Sequence, residues 1–415
     1  MADATTPTPA RPRRTAPDGA VLTAVLAGLV AITPLSIDIL LPALPALGRA
    51  FDVDVARTQL VISVFVLGFG AAQLAYGPLS DRFGRRPVLL AGLGLYLAAS
   101  LAATLAPSFA WLVGCRLAQG VGACAGPVLA RAAVRDLHEG SRVARTLSFL
   151  AAGQALAPIL APVGGGLILL AADCRGLFVT LAAAGALLLA GVWALVVETN
   201  PRLDPAATRP GRLLRNYATI ARHREFVGYT LTVSAGMVGL FAFLAGSPFV
   251  LIDLLGLAPH QFGFSFATVM LGQMTGALLS TRLAMSRGIQ ATVWLGLACY
   301  VAGGLLMAGL AWARVTHVAA VVGPMAVFML GNGMVMPSGL AGAIGPFPQM
   351  AGAASALTGF VQMTVGAAAS VAVGALHDGS PRPMATMLAA SALGAALVFA
   401  TLVPRPGAGP RADRP

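Results

Sequence analysis

The chain has 415 residues, of which 57% are hydrophobic and only 10% are charged. A soluble protein carries about 25% charged residues, so the composition excludes a water-soluble globular protein and predicts that lipid surrounds most of this chain. The basic residues are all arginine and the formal net charge is +12. Because these arginines fall between apolar runs and not on one polar face, nucleic-acid binding is excluded.

The first 19 residues form a polar segment that carries Arg11, Arg13 and Arg14. We predict a disordered cytoplasmic tail here. Arginines before an apolar run are also typical of a signal peptide. However, the run that follows, residues 20–47, is too long for a signal-peptide core and contains Asp38. This favours a first helix that stays in the mature protein.

Apolar segments of spanning length recur along the rest of the chain. A helix needs roughly 20 apolar residues to cross the hydrocarbon core. The predicted fold class is therefore an all-α membrane protein with twelve transmembrane helices. The predicted spans are residues 20–47, 57–76, 87–106, 110–129, 144–170, 176–197, 226–253, 261–284, 289–312, 318–341, 352–376 and 383–403.

A dense charged segment, residues 77–86, lies between the second and third spans. Two glycines and two prolines in and beside it are expected to break both helices and make a tight turn outside the membrane. Asp81 is expected to cap or counter a neighbouring helix end, and the arginines to meet headgroups or carboxylates. An ordinary positive-inside loop is the alternative. The candidate residues here are Gly77, Asp81, Arg82, Gly84, Arg85 and Arg86.

Arginine placement predicts the orientation. With a cytoplasmic N-terminus, 21 of the 27 arginines lie in inside segments and five in outside segments. By the positive-inside rule both termini are then cytoplasmic, which requires an even number of spans. The longest polar segment follows the sixth span and indicates an internal duplication of the transporter type. The predicted organisation is a tail (1–19), a six-helix bundle (20–197), a cytoplasmic linker (198–225), a second six-helix bundle (226–403) and a second tail (404–415).

Asp38 and Arg116 are the ionisable residues predicted well inside the spans. A charge in the bilayer core costs at least ~2.5–3.5 kcal/mol, so each is expected to face the interior of the bundle. At 1.5 Å per residue both lie roughly 12–14 Å below the outer surface, and we predict that they face one cavity. A desolvated carboxyl there can exchange a proton for a substrate. The alternative is structural: a buried ion pair, or an arginine satisfied by backbone carbonyls.

Three further groups are candidates. Gln119 shares a helix face with Arg116, where it would either line the site or join two helices. The fifth span combines two prolines with three glycines, which predicts a bent helix with a small face, or else a generic kink. Met237, Phe241 and Gln362 are candidates for further cavity lining. The candidates in the fifth span are Pro158, Pro162, Gly165 and Gly166.

Patterns of enzyme chemistry are missing from the sequence. No HExxH, GxSxG or P-loop pattern occurs, and the four cysteines have no metal-ligand spacing. We therefore expect neither an enzyme nor a metal or cofactor site. A membrane enzyme or receptor is disfavoured for the same reason.

Together these residues resemble the major facilitator superfamily from about residue 20 to 403. Residues 77–86 match its G-x-L-x-D-R-x-G-R-R signature, and residues 116–120 are similar to the fourth-helix arginine motif of its proton-coupled members. Residues 161–166 resemble the antiporter motif G-P-x-x-G-G, with Ala161 in place of the first glycine.

A finer resemblance is to the Bcr/CflA branch of drug:proton antiporters, which includes bicyclomycin and chloramphenicol exporters. The similar stretches are residues 35–45, 131–137 and 246–251, whereas Cys174 stands where the branch usually has tryptophan. The resemblance implies a monomer in the bacterial inner membrane that exports small amphipathic drugs against protons, by rocking of two six-helix bundles.

The resemblance also implies residue roles. Asp38 would be the proton-linked carboxylate, Arg116 the coupling residue and Gln119 part of the site. Residues 162–166 would form a bending interface, and residues 81, 82 and 85 a cytoplasmic latch. The alternative is an exporter or importer of a small metabolite such as an amino acid, a sugar or a siderophore. A sugar carrier would show several amides and carboxylates in its spans, whereas one acidic residue favours apolar or weakly cationic drugs.

Overall fold

A computed structural model describes residues 19–139, 141–200 and 203–403. Apart from residue 19, the two predicted tails lie outside this part of the chain. Its regular structure is entirely helical. The helices are α1 (Ala20–Asp38), α2 (Leu44–Ala50), α3 (Val55–Thr58), α4 (Leu60–Phe83), α5 (Arg85–Thr104), α6 (Phe109–Leu137), α7 (Ser141–Ala171), α8 (Cys174–Leu195), α9 (Pro210–Ala221), α10 (Arg224–Pro248), α11 (Pro259–Arg287), α12 (Ile289–Trp312), α13 (Val318–Ile344), α14 (Ala351–Ala375) and α15 (Arg382–Leu402).

The described residues contain 12 segments long and apolar enough to cross a membrane, which confirms the predicted fold class. Helices α1 and α2 form the first of them and α3 and α4 the second, while α10 continues into a π-helical turn over Phe249–Leu254. The short helix α9 is not a span. We call α1–α8 the N-half and α10–α15 the C-half. The end of the bundle that carries α9 is the linker end, and the opposite end is the far end.

The first span is not one continuous helix. α1 ends at Asp38, a 3₁₀ turn follows over Leu41–Ala43, and α2 then begins at Leu44. Pro42 has no N–H to bond the carbonyl of Asp38 four residues earlier, so the regular helix stops there. The Asp38 carboxyl group therefore lies on the last residue of α1.

The expectation that glycine and proline would end the second span at residue 77 is wrong. Helix α4 continues through Gly77 and Pro78 to Phe83. The carbonyl of Leu74, which Pro78 leaves without its helical donor, accepts a hydrogen bond from the Tyr217 hydroxyl at 3.1 Å. Tyr217 lies on α9, and burial raises the pKa of its hydroxyl, so the group stays protonated and able to donate.

Two other predicted boundaries differ from the structure. Helix α6 continues past the predicted end at residue 129 to Leu137, so Arg131 and Arg135 lie on a helix and not in a loop. The linker, expected to be a polar loop, contains α9. Helix α9 packs the buried Ile220 and the half-buried Leu213 and Tyr217 against the bundle and leaves Arg215 exposed, as expected of an amphipathic helix.

The two halves are packed together at the far end. Helix α7 packs on α11 and α4 packs on α14. At the α7–α11 contact, Gly166 lies against the backbone of Pro259 and His260, and Gly263 lies against the backbone of Pro162 and Val163. Glycine at these positions lets the two backbones approach each other closely. At the linker end a cavity of about 500 Å³ separates the halves.

Candidate functional site

The guanidinium of Arg116 is fully buried in the N-half. Its Nε donates to the carbonyl of Val61 at 2.8 Å, and its Nη2 donates to the carbonyl of Ser36 at 3.1 Å. Its Nη1 donates to Gln119 Oε1 at 2.9 Å, and the group stacks over the ring of Phe65 at 4.3 Å. The charge is thus held by three hydrogen bonds and a cation–π contact from helices α1, α4 and α6.

The network extends from Gln119 to one further helix, α5, and through it back to α1. Gln119 Nε2 donates to Ser100 Oγ at 2.7 Å, and Ser100 Oγ donates to the carbonyl of Tyr96 at 2.7 Å. The hydroxyls of Tyr96 and Ser36 are 2.7 Å apart. One continuous polar network therefore ties α1, α4, α5 and α6 together, and a change at one member is transmitted to the others. Both roles predicted for Gln119 stay predictions; its observed hydrogen bonds are with Arg116 on the same helix and with Ser100 on α5.

Asp38 lies two residues from the carbonyl that accepts from Arg116, and it is 5% exposed. None of the four ion pairs among the described residues includes Asp38 or Arg116. The two groups are therefore close in the fold but not paired. Neither residue lines the cavity at the linker end. Their predicted position in one common cavity stays a prediction.

Residues 77–86 form a charge cluster within the N-half. Arg85 makes an ion pair with Asp81 at 2.6 Å and with Asp136, at the end of α6, at 3.2 Å. Its Nη1 also donates to the hydroxyl of Ser80. The backbone N–H groups of Arg85 and Arg86 donate to the two carboxylate oxygens of Glu198, at 2.9 and 3.2 Å.

This arrangement explains the local sequence. Gly84 has φ 98°, a conformation that glycine adopts readily, and a Cβ there would collide with the Glu198 carboxylate. Glu198 supplies the negative charge that stabilises the N-terminus of α5. Asp136 and Glu198 were not candidates in the sequence, although Glu198 directly follows a predicted span and Asp136 lies in the stretch 131–137 that resembles the Bcr/CflA branch.

The linker is bound directly to this cluster. The N–H of Asp204 donates to the carbonyl of Asp81 at 2.9 Å, and Arg82 Nη1 donates to Thr208 Oγ1 at 2.7 Å. The ion-pair partner of the Asp81 carboxylate is Arg85, within the N-half. The residues predicted as a latch therefore hold the linker in this structure.

The fifth-span candidates lie at the boundary between the halves. Pro158 and Pro162 are both within α7, which continues through them. Gly165 lies against the carbonyl of Ile39 in the broken first span, and Gly166 lies against α11. This is a close backbone contact of the kind that small residues permit. The structure thus brings this segment next to the break that follows Asp38.

The three candidates in the C-half are buried. Phe241, on α10, lies against Gly366 of α14, and Gln362 Nε2 lies 3.3 Å from the sulfur of Met336. Met237 is on α10, one turn before Phe241, and is 7% exposed. None of the three lines the cavity at the linker end. Their contribution to a substrate site stays a prediction.

Sequence reasoning missed the polar contacts that join the halves at the far end. Gln59 is fully buried; its Nε2 donates to the carbonyl of Ala245 at 2.7 Å, and its Oε1 accepts from Ser370 at 3.3 Å. Arg49 and Asp253 form an ion pair across the halves at 3.2 Å. The only sequence signal for Gln59 is an amide at the start of an apolar run.

The cavity at the linker end is lined by helices α4, α5, α6, α7, α9, α13 and α14 and by Asp204 and Ala207 of the linker. Arg131, Arg135, Arg212 and Gln73 contribute polar atoms, and residues such as Val128, Leu147 and Ile344 contribute apolar surface. Such a mixed lining suits a molecule with an apolar body and a few polar groups.

Comparison with known proteins defines the class. The Major Facilitator Superfamily model matches residues 26–371, and the chain belongs to this family of transporters. It is 33% identical to Multidrug resistance protein D of Escherichia coli K12 over 80% of this chain and 83% of that protein. It is 27% identical to a bicyclomycin resistance protein homolog of Haemophilus influenzae over 90% of this chain and 94% of that one.

The fold agrees with solved structures of the family. A partially occluded inward-open structure of the xylose transporter XylE of E. coli superposes with a TM-score of 0.74, at 14% identity, over 92% of this chain and 97% of that one. At this identity the likeness establishes the fold alone. The protein is therefore a multi-pass membrane transporter of the major facilitator fold.

Proposed function

We propose that this transporter exports amphipathic drugs from the cytoplasm in exchange for protons. The names of the relatives above support drug efflux. A cavity of about 500 Å³ between the halves supports alternating access, because it is accessible at one end while the far end is packed.

The proposed orientation puts the linker end in the cytoplasm. The charge cluster at residues 77–86, the arginines of α9 and the C-terminal end of α6 all lie at this end. The positive-inside rule places such arginine-rich segments on the cytoplasmic side. The structure then corresponds to a state in which drug enters from the cytoplasm and the far end, facing outward, is closed.

The observation that supports proton coupling most directly is the separation of Asp38 from Arg116. Three hydrogen bonds satisfy Arg116 without any carboxylate. Asp38 is buried and has no ion pair among the described residues. A buried carboxyl without a cationic partner gains stability when it takes up a proton. In this proposal Asp38 binds the proton, and the adjoining break in the first span transmits its charge state to α7.

In this proposal two regions change during transport, one at each end of the bundle. At the far end, the α7–α11 contact around Gly166 must separate for release. At the linker end, the Asp81 carboxylate and the N-terminus of α14 line the same cavity. Closing this end would bring the carboxylate towards the positive end of a helix, which stabilises a negative charge.

The test is drug-driven proton release from inside-out vesicles, with bicyclomycin, chloramphenicol and a cationic dye as substrates. We expect wild type to exchange protons for at least one compound. In Asp38→Asn the rate of this exchange should fall more than tenfold. Asp253→Asn, at the exposed far end, is the matched control and should retain exchange. Proton exchange that is unchanged in Asp38→Asn would refute this role for Asp38, and wild type that exports no compound would refute drug efflux.

A further inference from the structure

Two arginines line the cavity at the linker end and have no carboxylate partner among the described residues. Arg131 and Arg135 lie four residues apart on one face of α6. Arg131 Nη2 donates to the neutral amide oxygen of Gln154 at 2.8 Å. None of the four ion pairs among the described residues includes either arginine. Like charges at this spacing repel each other, so the pair is an uncompensated concentration of positive charge.

The other charges in the cavity neutralise one another. Arg85 is paired with Asp81, and Arg212 is paired with Asp204 at 2.8 Å. The N–H of Ala206, and after it Arg212, hold the pKa of the Asp204 carboxyl below its ordinary value. Asp204 therefore remains ionised and keeps Arg212 compensated. The net positive charge of the cavity lies on α6.

Arg131 lies well inside the cavity, away from the end of α6. It precedes the end of α6 at Leu137 by six residues, which corresponds to about 9 Å along the helix axis. Val128, Leu147 and Ile344 line the cavity beside the arginines. A guanidinium presents a planar set of donors that matches the oxygens of a carboxylate, a sulfonate or a phosphate. An apolar wall next to it suits the body of an amphipathic acid.

The opposite wall contributes the same sign of potential. Ala351, Gly352 and Ala353, at the start of α14, line the cavity. The preceding Met350 makes no side-chain cap, so the first N–H groups of this helix have no capping side chain. A helix N-terminus favours negative charge. An anion placed in the cavity would thus face positive potential from both halves of the transporter.

We infer that this cavity binds amphipathic organic anions, whose acidic group is held by Arg131 and Arg135. The inference rests on the proposed function and names a substrate class for it. It departs from the sequence-based preference for apolar or weakly cationic drugs, which considered Asp38 alone and placed both arginines in a loop.

The test compares two probes that share one ring system and differ in whether the sulfur-bearing group is charged. Naphthalene-2-sulfonate is an anion at every working pH, whereas naphthalene-2-sulfonamide has the same ring system and is neutral near pH 7. We would measure uptake of both into inside-out vesicles under a proton gradient, and equilibrium binding of both to the purified protein. In the double variant Arg131→Gln/Arg135→Gln, binding and uptake of the sulfonate should fall at least tenfold, while the sulfonamide changes less than twofold.

Two further variants control for folding and for surface charge. Arg131→Lys/Arg135→Lys keeps the charge and should retain part of the sulfonate binding. Arg142→Gln/Arg145→Gln removes two exposed arginines that do not line the cavity, and it should leave sulfonate binding unchanged. Wild type that fails to bind the sulfonate, or equal loss of both probes in the Gln variant, would overturn the inference. Sulfonate binding that depends on the arginines, without gradient-driven uptake, would instead overturn the proposed export function.

Discussion

Arg116 shows how one residue keeps a full charge inside a membrane bundle. Its guanidinium makes a fork of donors that reaches the carbonyls of Val61 and Ser36 and the amide of Gln119 simultaneously. A buried charge is tolerated when it is paired or fully hydrogen-bonded. Here carbonyl groups fill that role on α1 and α4, and none of the ion pairs in the described part of the chain includes this charge. The residue therefore joins helices mechanically.

This predicts that Arg116→Lys impairs the protein even though the charge is kept. An ammonium is a point charge that cannot span the three acceptors. At about 1.5–3 kcal/mol for each hydrogen bond to a charged group, we expect the unfolding free energy to fall by about 2–4 kcal/mol. Thermal unfolding of the purified protein measures this, with the exposed Arg142→Lys as control. An unchanged midpoint would show that the carbonyl contacts contribute little.

The same variant separates the two roles considered for Arg116. If the residue only holds helices together, proton exchange per folded molecule should survive in Arg116→Lys. If it also couples Asp38 to the conformational change, exchange should fall while drug binding persists. The structure itself supports the first role directly, since every observed contact is structural.

At the scale of elements, the sequence predicted the number of helices well because the membrane imposes a length on each apolar run. It predicted helix ends poorly. Pro78 does not end α4, because Tyr217 from a distant helix satisfies the carbonyl that proline leaves open. Arg131 and Arg135 continue α6, because a cavity lets charged side chains stay on a helix. Neither the distant tyrosine nor the cavity can be recognised from the local sequence around the helix end.

The α7–α11 contact allows a sharp element-scale prediction. A Cβ at Gly166 would come within van der Waals overlap of the Pro259–His260 backbone, whereas a Cβ at Gly164 meets no atom within 4 Å. Overpacking of this kind costs about 1–3 kcal/mol. The cost applies only to the state in which the far end is closed, because α7 and α11 are in contact only in that state. Gly166→Ala should therefore shift the population towards an open far end and slow export several-fold, while Gly164→Ala behaves as wild type.

The measurement is a distance distribution between spin labels. Leu170 and Phe264 are exposed on α7 and α11, at 65% and 58%, so labels there face outward and disturb little. Longer distances in Gly166→Ala than in Gly164→Ala would agree with the prediction. Identical distributions in the two variants would contradict it and would leave the glycines with a role in local packing only.

For the whole molecule, some functional residues act within one half and others join the two halves, and the sequence did not separate these two groups. The Arg116 network and the charge cluster of residues 77–86 each lie within the N-half. The contacts between halves are instead made by residues such as Gln59, whose acceptor Ala245 lies 186 positions away. Such pairings depend on how two separately folded bundles meet, so no local periodicity indicates them. Alternating access has to break these contacts.

The Arg49–Asp253 pair marks where the halves approach at the far end. Its side chains are 68% and 43% exposed, and exposed ion pairs contribute about 0–1 kcal/mol, so the pair reports proximity and does not itself hold the end closed. Cysteines at these two positions, joined by a short cross-linker that reductant cleaves, should fix the far end in its closed state. Since release requires this end to open, we expect export to fall more than tenfold.

The cross-link has to be made in a background where the four free cysteines, Cys115, Cys124, Cys174 and Cys299, are replaced. Reductant should then restore export of the same sample, which excludes damage by the substitutions. Arg49→Cys with Asp54→Cys joins two positions within the N-half, so its cross-link should leave export intact if the halves move as separate bodies. If export through the cross-linked Arg49–Asp253 pair continued, the far end would not be the exit, and the assignment of the linker end to the cytoplasm would have to be reversed or abandoned.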